Sequence, residues 1–366
     1  MVWTAPDGIE VPDWSCEATS TRGPSMEEIS VVGIDLAKHV FQVHAVDGAG
    51  QAVIRRPVRR HELLGFVAML PACTVAMEAC AGAHHWARQF QAMGHAVRLI
   101  PPSRVKPYVG RQKNDAADAA AICEAAQRPA MRFAAVKTVQ QQALLLDHRT
   151  RDLLIRQRTM LVNALRGHLA EFGIVAAKGL AGAQALLAAV EADGGPPGVP
   201  SVAIPALRVL AAGIRGLGEQ IAAIEARLKA ARAAEPQVRR LMSIPGVGLI
   251  GATVIAATVP DATLFRSGRD FAAWLGLVPR QHSTGGKARL GAITKMGDRY
   301  IRRLLIGGAL SVIYRCKRGP DFAATWLGRM LARKPVRLVA VALANKIARI
   351  AWALMARGES YRPAGA

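Results

Sequence analysis

Two carboxylates, Asp35 and Glu78, each close a short apolar run, Ile29–Ile34 and Cys73–Met77. Two more, Asp115 and Asp118, stand three residues apart directly after Asn114. Both apolar runs predict buried β-strands, and open α/β sheets place their sites at the carboxyl ends of such strands. The spacing of Asp115 and Asp118 at a predicted helix start puts both side chains on one helix face. Where that helix crosses the same sheet edge, four oxygen ligands converge. Mg²⁺ takes carboxylate oxygens together with water, and two such ions roughly 4 Å apart clamp the attacking and leaving oxygens of a phosphodiester. Carboxylates so gathered repel one another unless a cation neutralises them. Singly, each has a plainer reading: an Asp after a strand is a turn residue, and Asp115 is a charge favoured by the helix macrodipole.

A hydroxyl is the second candidate. Pro279 ends a helical run, and Ser283 then stands in the polar, glycine-flanked stretch Gln281-His282-Ser283-Thr284-Gly285-Gly286-Lys287. Arg280, His282, Lys287 and Arg289 surround it with positive or protonatable groups. A serine becomes a nucleophile only when a base or an oxyanion site activates it, and nearby cations both attract a phosphate and stabilise its added charge. Composition alone equally allows a plain turn. Upstream, Ser243-Ile244-Pro245-Gly246-Val247-Gly248 lies between two helical runs. The backbone N–H groups at Gly246 and Gly248 suit a phosphate at a helix start, as in a helix-hairpin-helix turn. A tight turn between packed helices accounts for the same residues.

The elements that must position these groups follow from periodicity. Strands are predicted at 29–34, 40–46, 51–56, 73–77 and 96–100, with helices at 61–70, 84–93 and 115–127, the last capped by Asn114. Three antiparallel strands followed by alternating helix and strand is the order of a ribonuclease-H-like α/β domain. Residues 137–172 carry Leu146, Leu153, Leu154, Leu161, Leu165 and Leu169 at helical spacing, with arginines between them. This predicts a long amphipathic helix, and 205–235 predicts a second after the break at Gly194–Gly198. Such helices pair with each other or between subunits. From Val238 onward the chain reads as helical, with no strand of useful length. The expected division is a flexible tail at 1–25, a catalytic α/β domain at 26–135, a coiled-coil region at 136–237 and an all-α carboxyl-terminal domain at 238–366.

Among 366 residues, 48 Lys and Arg stand against 26 Asp and Glu, a formal net charge of +22. That excess favours a polyanionic partner, because neutralised phosphates release condensed counterions. The five cysteines are scattered without a CxxC pair, which points to a reducing cytoplasm and away from a disulfide framework or structural zinc. The apolar stretches 248–259 and 336–355 are too short or carry Arg and Lys, so they read as buried helices and no membrane association is expected.

The blocks Gly33-Ile34-Asp35-Leu36-Ala37-Lys38-His39-Val40-Phe41, Met77-Glu78-Ala79-Cys80 and Lys113-Asn114-Asp115-Ala116-Ala117-Asp118-Ala119 resemble those of the DEDD-type insertion-sequence transposases. The stretch Gly276–Arg303, with Lys295-Met296-Gly297-Asp298-Arg299-Tyr300-Ile301-Arg302-Arg303, is similar to the carboxyl-terminal domain of the same family. The resemblance covers nearly everything from Met26 to Arg357. It implies an amino-terminal domain similar to the Holliday-junction resolvase RuvC, with Asp35, Glu78, Asp115 and Asp118 catalytic and binding Mg²⁺, as one ion or two. It also implies that Ser283 attacks DNA to form a phosphoserine, and that a structured guide RNA from the same element pairs with DNA. Arg280, Lys287, Arg289, Lys295, Arg299, Arg302 and Arg303, with Gly246 and Gly248, are then the expected nucleic-acid contacts. We further expect a homo-oligomer, dimer or tetramer, with a composite site between protomers, at the nucleoid. Two other readings stand beside strand exchange: a Mg²⁺-dependent structure-specific endonuclease in which Ser283 is structural, and a non-catalytic nucleic-acid-binding scaffold.

Overall fold

The computed structural model describes residues 29–110, 114–287, 289–317 and 322–362. The expected tail at 1–25 and Lys113 of the third motif lie outside the described residues. The chain divides into two compact units, Met1–Val136 and Lys137–Ala366.

The first unit runs β1 (Ile29–Asp35), β2 (Val40–Asp47), β3 (Ala52–Arg59), α1 (Leu63–Ala68), β4 (Thr74–Glu78), α2 (Ala83–Ala92), β5 (Ala96–Ile100), α3 (Pro102–Val105) and α4 (Asp115–Ala126). The sheet order is β3-β2-β1-β4-β5. The first three strands pair antiparallel, and β4 and β5 add in parallel. This mixed sheet is consistent with the ribonuclease-H-like expectation. β3 continues past Arg56 through Pro57 to Arg59. As an edge strand it tolerates a residue without an N–H.

Alternation along the central strands divides their side chains between two cores. Val32, Ile34, Val75 and Met77 face α1 and α2, packing on Phe66, Trp86 and Phe90. Val31 and Ala76 face the other way, onto Ile122 and Ala125 of α4. Between them, Gly33 lets α4 lie directly on β1. A Cβ there would stand 2.4 Å from the Ala119 carbonyl oxygen and 2.7 Å from the Cys123 nitrogen. The alanine-rich sequence of α4 suits so close an approach. Asn114 fixes where the helix begins, its side chain accepting from the Ala116 N–H at 3.0 Å.

The second unit runs α5 (Val139–Ala170), α6 (Leu180–Glu191), α7 (Ile204–Ala234), α8 (Pro236–Met242), α9 (Leu249–Thr258), α10 (Gly268–Trp274), β6 (Pro279–Gln281), β7 (Leu290–Ile293), α11 (Arg299–Cys316), α12 (Trp326–Leu331) and α13 (Val336–Arg357). A capping box of Thr138 and Gln141 starts α5. α5 and α7 lie antiparallel: Leu165 and Leu169 pack with Leu207 and Ala211, and Arg151 and Asp147 pair with Glu225 and Arg227 further along. The short helix α6 had no counterpart in the periodicity. Among the described residues, two helices, 201–231 and 336–357, are long and apolar enough to cross a membrane by length and composition. The apolar face of α13 is taken up in the core, with Val339, Leu343, Ile347, Ala351 and Leu354 all buried.

The expectation of no strand beyond Val238 is corrected here. β6 and β7 pair antiparallel as a hairpin. Its tip is a two-residue turn in which Gly285 (φ 54°) and Gly286 (φ 77°) both adopt left-handed geometry, with the Lys287 N–H donating to the Thr284 carbonyl. Gly-Gly is a recognised signal for such a turn, but strands this short give alternation nothing to register. The base of the hairpin is clamped. Gly276 (φ 70°) packs on the Met296 backbone, Gly297 (φ 73°) packs on the Trp274 carbonyl, and Lys295 itself takes a positive φ of 56°. Arg302 is buried and donates through Nη1 to the Leu275 and Met296 carbonyls at 2.9 and 2.8 Å. Asp298 then caps α11, accepting from the Tyr300 and Ile301 N–H groups.

Two substitutions test these contacts. Gly33→Ala forces α4 off β1 and is expected to cost about 1–3 kcal/mol by overpacking, read as a lower urea midpoint at unchanged slope. Arg302→Ala leaves two buried carbonyls without donors and is expected to cost about 2–4 kcal/mol, with Arg302→Lys recovering only part of it because a point charge replaces a planar fork.

Candidate active site

The close packing of α4 on β1 decides the geometry at the sheet edge. β1 ends in Asp35, and β4 beside it ends in Glu78, with Ile34 paired to Met77 one residue before each. The first turn of α4 carries Asp115 and Asp118 over this edge. One carboxylate oxygen from each of Asp35, Asp115 and Asp118 lies within 4.8 Å of the others. Glu78 is outside that three-way group but near enough for its charge to act on Asp35.

Electrostatics follow from the crowding. Burial, then the charges of Asp118, Asp115 and Glu78, raise the Asp35 carboxyl to about 6, against a single opposing hydrogen bond from the Leu36 backbone. Glu78 is raised for the same reasons, burial first and Asp118 second. The Cys80 thiol is raised by partial burial, then by the charges of Glu78 and Asp35. Hard oxygen donors with one member, Asp115, open to solvent are a donor set that could hold a divalent cation with water completing its shell. No other group of three or more His, Cys, Asp or Glu residues with this spacing occurs among the described residues.

Ser283 belongs to the second unit. It is exposed beside the hairpin turn, and its Oγ accepts from the Gln281 side-chain amide at 3.0 Å. Gln281 closes β6 two residues earlier, a partner that was illegible without the hairpin. Arg280, Lys287 and Arg289 are exposed along the hairpin, with the Arg289 carbonyl accepting from the His282 N–H. Lys295 and Arg299 are exposed at its base. Arg303 is exposed but pairs with Asp152 and lies over the Tyr300 ring at 5.2 Å. Arg302 departs from the expected surface role: it is buried and its Nη1 is committed to backbone carbonyls. Gly246 (φ 88°) is accounted for by packing, because its backbone abuts Gly308 of α11 so closely that neither residue has room for a Cβ. Gly248 has open space around it at the N-cap of α9. The two units thus present separate chemistry, a carboxylate cluster in one and an exposed serine among cations in the other.

Comparison with known sequences fits both halves. Residues 32–174 match the DEDD transposase profile of the IS110 group, and residues 238–326 match a profile described as the transposase IS116/IS110/IS902 family. The chain is 50% identical over 336 residues to a probable family 20 transposase of Pseudomonas aeruginosa, covering 92% of this chain and 99% of that protein. It is 41% identical to the transposase for insertion sequence element IS1328 of Yersinia enterocolitica, over 92% and 99% of the two chains. It is 40% identical to the transposase for IS1111A of Coxiella burnetii, over 97% and 98%. With both profiles matched in order and relatives similar over nearly their whole length, the chain belongs to the IS110 family of DEDD transposases, enzymes that cut and rejoin DNA.

Proposed function

We propose that this transposase moves an insertion sequence by strand exchange through a phosphoserine at Ser283, with Mg²⁺ held by Asp35, Asp115 and Asp118 and supported by Glu78. The observation that carries the reading is the carboxylate cluster: α4 and β1 bring like charges together at a cost that a cation would offset. Bound there, Mg²⁺ would supply Lewis-acid stabilisation of a phosphodiester's developing charge, as one ion or two. The chain's own residues do the rest. Ser283 Oγ bonds to phosphorus as the strand's P–O bond breaks, and the departing strand hydroxyl gains a proton. Attack by another strand hydroxyl reverses the step, so the diester bond energy is kept without ATP. Arg280, Lys287 and Arg289, flanking Ser283 on the hairpin, draw in the phosphate and balance its extra charge.

The formal charge of +22 supports nucleic-acid partners beyond the cut strand. We include among them a structured guide RNA, on the family resemblance, and a homo-oligomeric assembly acting at the cytoplasmic nucleoid. One contact favours a hydrolytic alternative: the Ser283 hydroxyl is tied to Gln281, as a structural serine would be in a plain endonuclease.

A denaturant-stable adduct between the protein and end-labelled element DNA is expected with the wild type and guide RNA, and absent in Ser283→Ala. Cleavage by Ser283→Ala at the wild-type rate, without adduct, would establish the hydrolytic reading instead. The carboxylates give a separate readout. Asp35 titrates near 6 in the folded chain and near 3.8 as a free group. Between those values the folded state holds a proton that the unfolded state has lost, so this group's contribution to stability falls as pH rises through that window. In EDTA at pH 7, Asp35→Asn should therefore melt higher than wild type. Added Mg²⁺ should raise the wild-type Tm and leave the variant nearly unmoved, with the wild-type response fading below pH 6. A wild-type Tm indifferent to Mg²⁺ at neutral pH sinks the metal assignment.

A further inference from the structure

A second concave site lies in the first unit, at the same sheet edge as the carboxylates. It is a cavity of about 670 Å³ lined by His39, Val40, Arg59, Arg60, His61, His85 and Trp86. Its walls come from three places that the sheet brings together. Val40, opening β2, pairs with Arg59, closing β3. The Arg60 N–H donates to the His39 carbonyl at 2.8 Å, sealing that corner. His85 and Trp86 lie in the first turn of α2, the helix that follows Glu78. Since β1 ends in Asp35 and pairs there with Gln42 of β2, the cavity opens one strand over from the acidic cluster.

Its chemistry is opposite to that of the cluster. Among the described residues, the guanidinium groups of Arg59 and Arg60 have no carboxylate partner. Glu62, next to His61, lies 3.6 Å from that imidazole and accepts from the Arg59 backbone N–H. The Arg60 guanidinium lies over two rings, 5.4 Å from the Trp86 centroid and 5.5 Å from that of Phe41. His85 meets Trp86 edge-on at 5.3 Å. The three histidines do not form a metal set, since their ring nitrogens do not converge as those of a ligand group would. Exposed cations beside exposed imidazole rings, in a concavity of nucleotide size, match what an unstacked nucleotide offers: a charged phosphate and a flat base.

We propose that this pocket is a subsite for a single DNA strand, in which Arg59 and Arg60 each grip a backbone phosphate and the exposed His85 ring receives a base, so that the strand runs on toward the carboxylates. It rests on the reading that DNA is processed at that cluster, but its test does not. Binding of full-length protein to a labelled single-stranded DNA is followed by anisotropy in EDTA over a salt series. For single strands each phosphate contact contributes a log–log salt slope of about 0.7. Arg59→Gln should lower the slope by about 0.7, and Arg59→Gln/Arg60→Gln by about 1.4. Because Arg60 packs on two rings, the single Arg59 variant keeps the test valid should the double variant fold poorly. Arg55→Gln, on the same strand but outside the pocket, should leave the slope unchanged.

An equal fall in Arg55→Gln would mean general charge and overturn the subsite. So would an unchanged slope in Arg59→Gln, or a loss confined to RNA of the same sequence. Since no metal is present in this measurement, intact slope losses beside a failed Mg²⁺ or adduct experiment would sink only the catalytic reading.

Discussion

The contact between α4 and β1 at Gly33 sets the rest of the first unit. A helix ordinarily stands off a sheet by the length of its side chains. Here a glycine on the strand and alanines on the helix let backbone meet backbone, with the Ala119 carbonyl where a Cβ would otherwise be. That approach lowers the first turn of α4 onto the sheet edge, and the cap at Asn114 sets its rotation. The result is that Asp115 and Asp118 arrive beside Asp35, with Asp115 still open to solvent. The electrostatic cost is visible in the raised Asp35 and Glu78 carboxyls. Packing, not mutual attraction, holds these acids together.

The second unit solves a different problem, that of presenting a short, exposed hairpin in a fixed place. Glycines at 276 and 297 and the left-handed Lys295 let two loops interlock. Arg302 then ties both to α11 from inside. An arginine in a basic motif was expected to face a phosphate, whereas here its planar fork satisfies carbonyls that the interlocked loops would otherwise bury unpaired. Exposed cations flank Ser283 on the hairpin and continue at its base with Lys295 and Arg299.

How much of this was legible depends on the range of each contact. Apolar runs closing in Asp35 and Glu78, and Asn114 ahead of two acids, are local patterns, and they pointed to the strands, the helix start and the acids that meet Asp35. The hairpin escaped because its strands of three and four residues are shorter than any periodicity can show, although Gly285-Gly286 was a signal in plain sight. Gly246 looked like a phosphate turn because Gly308, the residue that demands it, lies far along the chain. The pocket of histidines and arginines was likewise hidden: only the β2–β3 register and the placement of α2 bring positions 39, 59–61 and 85 together.

The crowding at the sheet edge carries a consequence for how the site idles. With Asp35 raised to about 6, a proton and a cation drawn to this cluster would compete for the same oxygens in mildly acidic solution. Loading the site there would be an exchange, in which a proton leaves as the ion enters. Below pH 6 a proton on Asp35 relieves part of the repulsion among these acids and serves as a placeholder. In weakly buffered solution near pH 6, cation uptake would acidify the medium, so an indicator dye would report occupancy without any DNA being cut.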